Sequence, residues 1–77
     1  MTKNDFISKY HLIKTKTKCC FTDGFSNYYK RVLYTDKYGR LFCFYNNDLF
    51  AVRPRNPYVE GMEILECFLG AGYSWYR

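Results

Sequence analysis

Seventy-seven residues, with 12 Lys and Arg against 7 Asp and Glu and a net charge of +5, allow one domain built around one hydrophobic core. A chain of this size buries only about 60% of its surface, so a second domain is excluded and the margin of stability is small. Nine Tyr, seven Phe and one Trp compensate, since each large ring removes much apolar surface from water.

The charge is uneven. Residues 1–56 hold eleven bases and four acids, a balance of +7, while residues 57–77 hold one base and three acids, a balance of −2. One strongly basic side is expected, a field that attracts polyanions or an acidic protein surface alike. The opening residues, Met1 to Lys18, lack the apolar run and cleavage site of a signal peptide, and no stretch has the length of a membrane span. The four cysteines are therefore read as reduced thiols in a cytoplasmic protein, the host cytoplasm if the source is viral. The abundance of Lys, Asn, Tyr, Phe and Ile suits an AT-rich genome such as that of many viruses and mobile elements.

In chain order, Thr2 and Asp5 form a capping-box pattern ahead of Phe6, Ile7 and Tyr10, which predicts a short helix from Lys3 to Tyr10. Leu12 to Phe21 alternates, with Lys14, Lys16 and Lys18 on one side and Ile13, Thr15, Thr17 and Cys19 on the other, the pattern of a strand with one wet face. An Asp-Gly turn leads to a second strand, Tyr28 to Thr35. Asp36 to Gly39 reads as a type I turn with Gly39 in a left-handed bulge position, and Asn46-Asn47 reads as a type I′ turn. The strands Arg40 to Tyr45 and Asp48 to Arg53 complete a meander. Asn56 before Pro57 resembles a helix start, and Met62, Leu65, Phe68 and Leu69 lie at helical spacing, which predicts a helix from Pro57 to about Leu69. Tyr73 to Arg77 is an aromatic tail. The fold class expected is α+β: an antiparallel sheet of about four strands with a short N-terminal helix and a longer C-terminal helix.

The two turns fix cross-strand registry, pairing Tyr34 with Phe42, Val32 with Phe44, Phe44 with Leu49 and Phe42 with Ala51. One sheet face then carries Val32, Tyr34, Phe42, Phe44, Leu49 and Ala51. The other carries Leu33, Leu41, Cys43, Tyr45, Phe50 and Val52, with Tyr29 and Arg31 towards its end. Both faces are apolar, so the helices take one each, the sheet curls into a small barrel, or one aromatic face stays open to a second copy or another protein. The open-face alternative makes Tyr29, Arg31, Tyr45 and Phe50 the candidate partner contacts.

Chemistry-bearing motifs are sparse. No Cys-x-x-Cys spacing exists, adjacent Cys19 and Cys20 point to opposite faces of a strand, and the thiols read as small buried hydrophobes, so no metal site and no cofactor is expected. His11 reads as a surface residue at a helix-strand joint. Asp23, Asp36 and Asp48 fall at turns, and Glu60, Glu63 and Glu66 read as the solvated side of a helix. The basic set Lys14, Lys16, Lys18, Lys30, Arg40, Arg53 and Arg55, with Tyr28, Tyr29 and Tyr38 nearby in sequence, suits an acidic partner or a single nucleic-acid strand. The alternation of rings in Tyr38 to Phe44 resembles the aromatic strand of RNA-recognition and cold-shock domains, but Arg40 and Leu41 stand where those domains have a small and an aromatic residue. No family is assigned. The function expected is that of a non-enzymatic binding protein, an inhibitor or modulator of a host nucleic-acid enzyme or defence factor, with single-stranded nucleic acid binding as the alternative.

Overall fold

The computed structural model describes residues 1–76. Helix α1 (Lys3–Tyr10) begins where the capping box places it: the Thr2 hydroxyl accepts from the Asp5 amide, and the Asp5 carboxylate accepts from the Thr2 amide at 2.8 Å. His11 ends it in the left-handed conformation at φ 53°, with its amide bonded to the Ile7 carbonyl.

Five strands follow: β1 (Ile13–Thr22), β2 (Tyr28–Thr35), β3 (Leu41–Tyr45), β4 (Asp48–Pro54) and β5 (Ile64–Gly70). They form a closed barrel in chain order, antiparallel at every step except the last, where β5 pairs with β1 in parallel. That parallel seam is a matter of parity, because an up-and-down barrel with an odd number of strands must bring its first and last strands together in the same direction. The two tight turns are as the sequence implies. Gly39 has φ 77°, and Asn46 and Asn47 have φ 51° and 62°, the positive pair that a type I′ turn requires.

The expected α+β sheet of four strands with a longer C-terminal helix is overturned. Residues 57–63 are a loop, and Ile64–Gly70 is the closing strand. Helical and strand periodicities overlap here. Leu65 and Cys67 are buried while Ile64, Glu66 and Phe68 are exposed, a period of two that the helical reading missed. Gly61 at φ 88° would also interrupt a helix, and it sits beside a turn closed by the Met62 amide on the Val59 carbonyl. The expected pairing of Val32 with Phe44 does not form either. The β2–β3 ladder holds two rungs, Tyr34 with Phe42 and Thr35 with Leu41, because β2 bends away to follow β1.

Closure gives each sheet face its own cover. Leu33, Leu41, Cys43 and Val52 point into the barrel with Cys19, Phe21, Leu65 and Cys67, while Tyr58 and Met62 of the β4–β5 loop pack against the same cluster. Outside, Tyr34, Phe42, Phe44, Leu49 and Ala51 form a second core beneath α1 and a 3-10 helix at Gly72–Tyr76. The aromatic tail thus lies over the core; Arg77 falls outside the described residues.

A bulge in β1 supplies part of the curvature, since Lys14 pairs with Tyr34 but Lys18 with Val32, leaving three β1 residues opposite Leu33 alone. The Thr15 hydroxyl bridges the gap, donating to the Leu33 carbonyl at 2.8 Å and accepting from the Thr17 amide. Thr17 is 1% exposed, and its hydroxyl finds no hydrogen-bond partner among the described residues. Because an orphaned buried hydroxyl costs more than a methyl of the same shape, Thr17→Val is expected to stabilise the fold by about 1 kcal/mol in urea unfolding. A loss of stability would show that the hydroxyl is satisfied in solution.

Candidate binding surface

The four residues expected at an open aromatic face are brought together, but at one end of the barrel and on its inner side. Tyr29 and Tyr45 meet edge to face at 5.2 Å, Phe21 lies within 5.5 Å of both, and Phe50 flanks Tyr45 at 6.2 Å. The Arg31 guanidinium sits over the Tyr29 and Tyr45 rings at 5.8 and 5.3 Å. Half-buried and held to one another, these side chains close the barrel end. The hydrogen bond and charge of Tyr45, then burial, raise the Tyr29 pKa above the ordinary phenol value.

The basic residues divide. Arg40 pairs with Asp36 at 2.7 Å and lies between the Tyr38 and Tyr73 rings. Arg53 is committed to Trp75, with its guanidinium 4.6 Å from the ring and bonded to the Trp75 carbonyl. Lys14, Lys16, Lys18 and Lys30 are exposed, and none lies within ion-pair distance of a carboxylate among the described residues. Arg55 reaches over Phe68 at 5.2 Å.

These remaining cations share the outer face of β1, β2 and β5, which neither α1 nor the 3-10 helix covers. Along β1, Lys16, Lys18, Cys20 and Thr22 point outward while Thr17, Cys19 and Phe21 point in. Three clefts follow the strand. The first, about 400 Å³, runs from Lys14 to Thr17 against Tyr58 and Glu60; the second, about 270 Å³, joins Lys16, Lys18 and Lys30 to Glu63 and Ile64. The third, about 360 Å³, opens where the seam parts beyond Cys20 and Glu66, and it includes Tyr28, Phe68 and Arg55. Tyr28 is 73% exposed, Phe68 56% and Ile64 38%.

One side is therefore not uniformly basic. β5 and the loop before it set Glu60 and Glu63 beside the β1 lysines and Glu66 beside Cys20 and Arg55, so the face alternates in sign around apolar side chains. Sequence reasoning missed Ile64 and Phe68 as surface residues because it placed them on a helix. The outward set Ile64, Glu66 and Phe68 was the available signal.

The thiols gather elsewhere. Cys19, Cys43 and Cys67 are buried inside the barrel, where hydrogen bonds from Cys43 and Cys67 lower the Cys19 pKa. The same bonds to Cys19, and then burial, push the other two up. Cys67 also donates to the Cys20 carbonyl at 3.6 Å across the seam. All four cysteines are free, and among the described residues no group of three His, Cys, Asp or Glu is arranged to hold a metal ion. His11 is exposed at the end of α1. Among the described residues no helix is long and apolar enough to cross a membrane. No family model, no curated protein and no solved structure matches the chain.

Proposed function

We propose that this chain is a non-enzymatic protein-binding module of the reducing cytoplasm, which modulates a target by occupying its surface through the outer face of β1, β2 and β5. The observation that carries this reading is the asymmetry of cover. One outer face lies under α1 and the 3-10 helix, whereas the other exposes Tyr28, Ile64 and Phe68 among charges of both signs. Apolar rings surrounded by charged residues are the anatomy of a protein contact. A nucleic-acid track is favoured less, because Glu60 and Glu63 line the same clefts as the lysines, Glu66 shares the third with Arg55, and all three would face phosphates.

The test compares wild type with a Tyr28→Ser/Phe68→Ser double variant as bait in nuclease-treated extract of the native cells, followed by affinity measurement on the captured protein. Loss of two anchor rings should weaken binding at least about thirtyfold with the melting temperature unchanged. Undiminished capture by the variant overturns the reading. So does binding to a labelled single-stranded oligonucleotide that falls steeply with salt while nuclease abolishes all protein capture.

A further inference from the structure

The open face repeats its own complement. The β1–β2 and β1–β5 registers place Val32, half-buried at the border with the covered core, in one row with Lys18 and Ile64, and Lys30, Cys20 and Glu66 in the next. One step further Tyr28 pairs with Thr22, and both line the seam cleft with Phe68. In each row β1 is central, and the flanking residues on β2 and β5 are chemical partners: aliphatic with aliphatic, base with acid, ring with ring.

A two-fold axis lying in the contact plane and running along β1 exchanges the β2 side of one molecule with the β5 side of its mate. Lys30 then meets the second copy's Glu66, Val32 meets Ile64, Tyr28 meets Phe68, and each contact occurs twice, as an isologous interface requires. Cys20, half-exposed on the central strand between Lys30 and Glu66, falls on the axis opposite its own copy.

We propose that the free protein forms a symmetric homodimer through this face, centred on Cys20, so that a target must displace the second copy to bind. The proposal rests on the reading of the face as a protein contact and names its resident occupant. Charge complementarity selects a second copy over a nucleic-acid strand, because Glu66 repels phosphate but matches Lys30 of a mate. Lys16 and Lys18 are the mismatches. Both point outward on β1 and fall near the axis opposite their own copies, so Lys18→Gln should tighten the dimer.

Sedimentation velocity from 1 to 300 µM on reduced protein, beside circular dichroism melts, tests the idea directly. Wild type should associate with concentration, and Lys30→Glu or Glu66→Lys alone should weaken association at least tenfold with unchanged melting. The swap Lys30→Glu/Glu66→Lys should restore it, since only a self-paired interface is repaired by exchanging charges within one chain. A short bis-maleimide should cross-link wild type but not Cys20→Ser, because the other three thiols are buried.

A monomer at every concentration, or a dimer indifferent to the charge reversals and to Cys20→Ser, overturns the proposal. The two readings separate cleanly. A monomer whose target capture still depends on Tyr28 and Phe68 removes the dimer and keeps the contact face, while a charge-dependent dimer with undiminished capture by the ring variant does the reverse.

Discussion

Asp36→Ala is expected to lower the melting temperature by roughly 15 °C, from a loss of about 3 kcal/mol in a domain of this size. The residue is 4% exposed, and its carboxylate uses all its acceptor positions. Oδ1 takes the Tyr38 and Arg40 amides at 3.0 and 2.9 Å, while Oδ2 takes Arg40 Nε at 2.7 Å and the Tyr73 hydroxyl at 2.9 Å. One side chain therefore closes the β2–β3 turn and fastens the 3-10 helix to it. Tyr73 is held there by stacking as well, 4.0 Å from Tyr10 and 4.6 Å from Phe42. Burial, then the bond to Asp36, raises its phenol to about 12, so it remains a donor at any ordinary pH.

Burial alone would raise the Asp36 pKa, but the hydrogen bonds from Arg40, Tyr73 and Tyr38 outweigh it and hold the carboxyl below its ordinary value of 3.8. A depressed folded value means that the stabilisation is fully present above the unfolded value and is lost as pH falls through the folded one. Asp36→Asn keeps the shape and loses the charge. Its deficit against wild type should be constant from pH 7 to about 5 and shrink below the ordinary carboxylate value, as read by urea unfolding at each pH. Equal stability of the two proteins at pH 7 would show that the network adds nothing.

Local chemistry made much of the fold legible. The capping box at Thr2 and Asp5, the left-handed Gly39 and the paired asparagines each act over a few residues, and the structure places all three as their sequence implies. The division of the meander into two apolar faces was also readable, because Phe42 and Phe44 must lie opposite Leu41 and Cys43. Closure was not. It depends on the bulge around Thr15, on a β2–β3 ladder that stops after two rungs, and on the distant pairing of β5 with β1, none of which any local spacing encodes.

The surface followed the same division. Lys14, Lys16 and Lys18 were legible as the wet side of a strand, whereas the glutamates beside them depend on where β5 docks. Tyr29, Tyr45 and Phe50 were assigned to the right face of the sheet. A flat sheet would have left that face open, but curvature turned it inward to close a barrel end. The rings that strands expose are instead Tyr28, one residue out of phase with the expected Tyr29, and Phe68 on β5.

The covered outer face supplies the second large effect. Ala51 and Gly70 pair across β4 and β5, and a Cβ placed on Gly70 would fall within the Trp75 indole, so two small residues make the flat seat on which that ring lies. Arg53 caps the indole at 4.6 Å and bonds to the Trp75 carbonyl. Gly70→Val cannot keep this arrangement, because the overlap is with ring atoms of a bulky side chain rather than with a flexible tip. Overpacking of this kind costs about 1–3 kcal/mol, and here its cheapest relief is release of the C-terminal helix. Trp75 is the only tryptophan in the chain, so its emission should shift to the red and become open to acrylamide quenching. The barrel interior does not depend on the cover: Cys19, Cys43 and Cys67 should stay slow towards a thiol reagent, and far-ultraviolet dichroism should keep its strand signal. Phe42 and Phe44 would lose part of their roof, giving the protein a second apolar face and raising its binding of a hydrophobic dye. Unchanged tryptophan emission would show that the indole does not rest on Gly70, and rapid reaction of all four thiols would show that cover and barrel unfold as one unit.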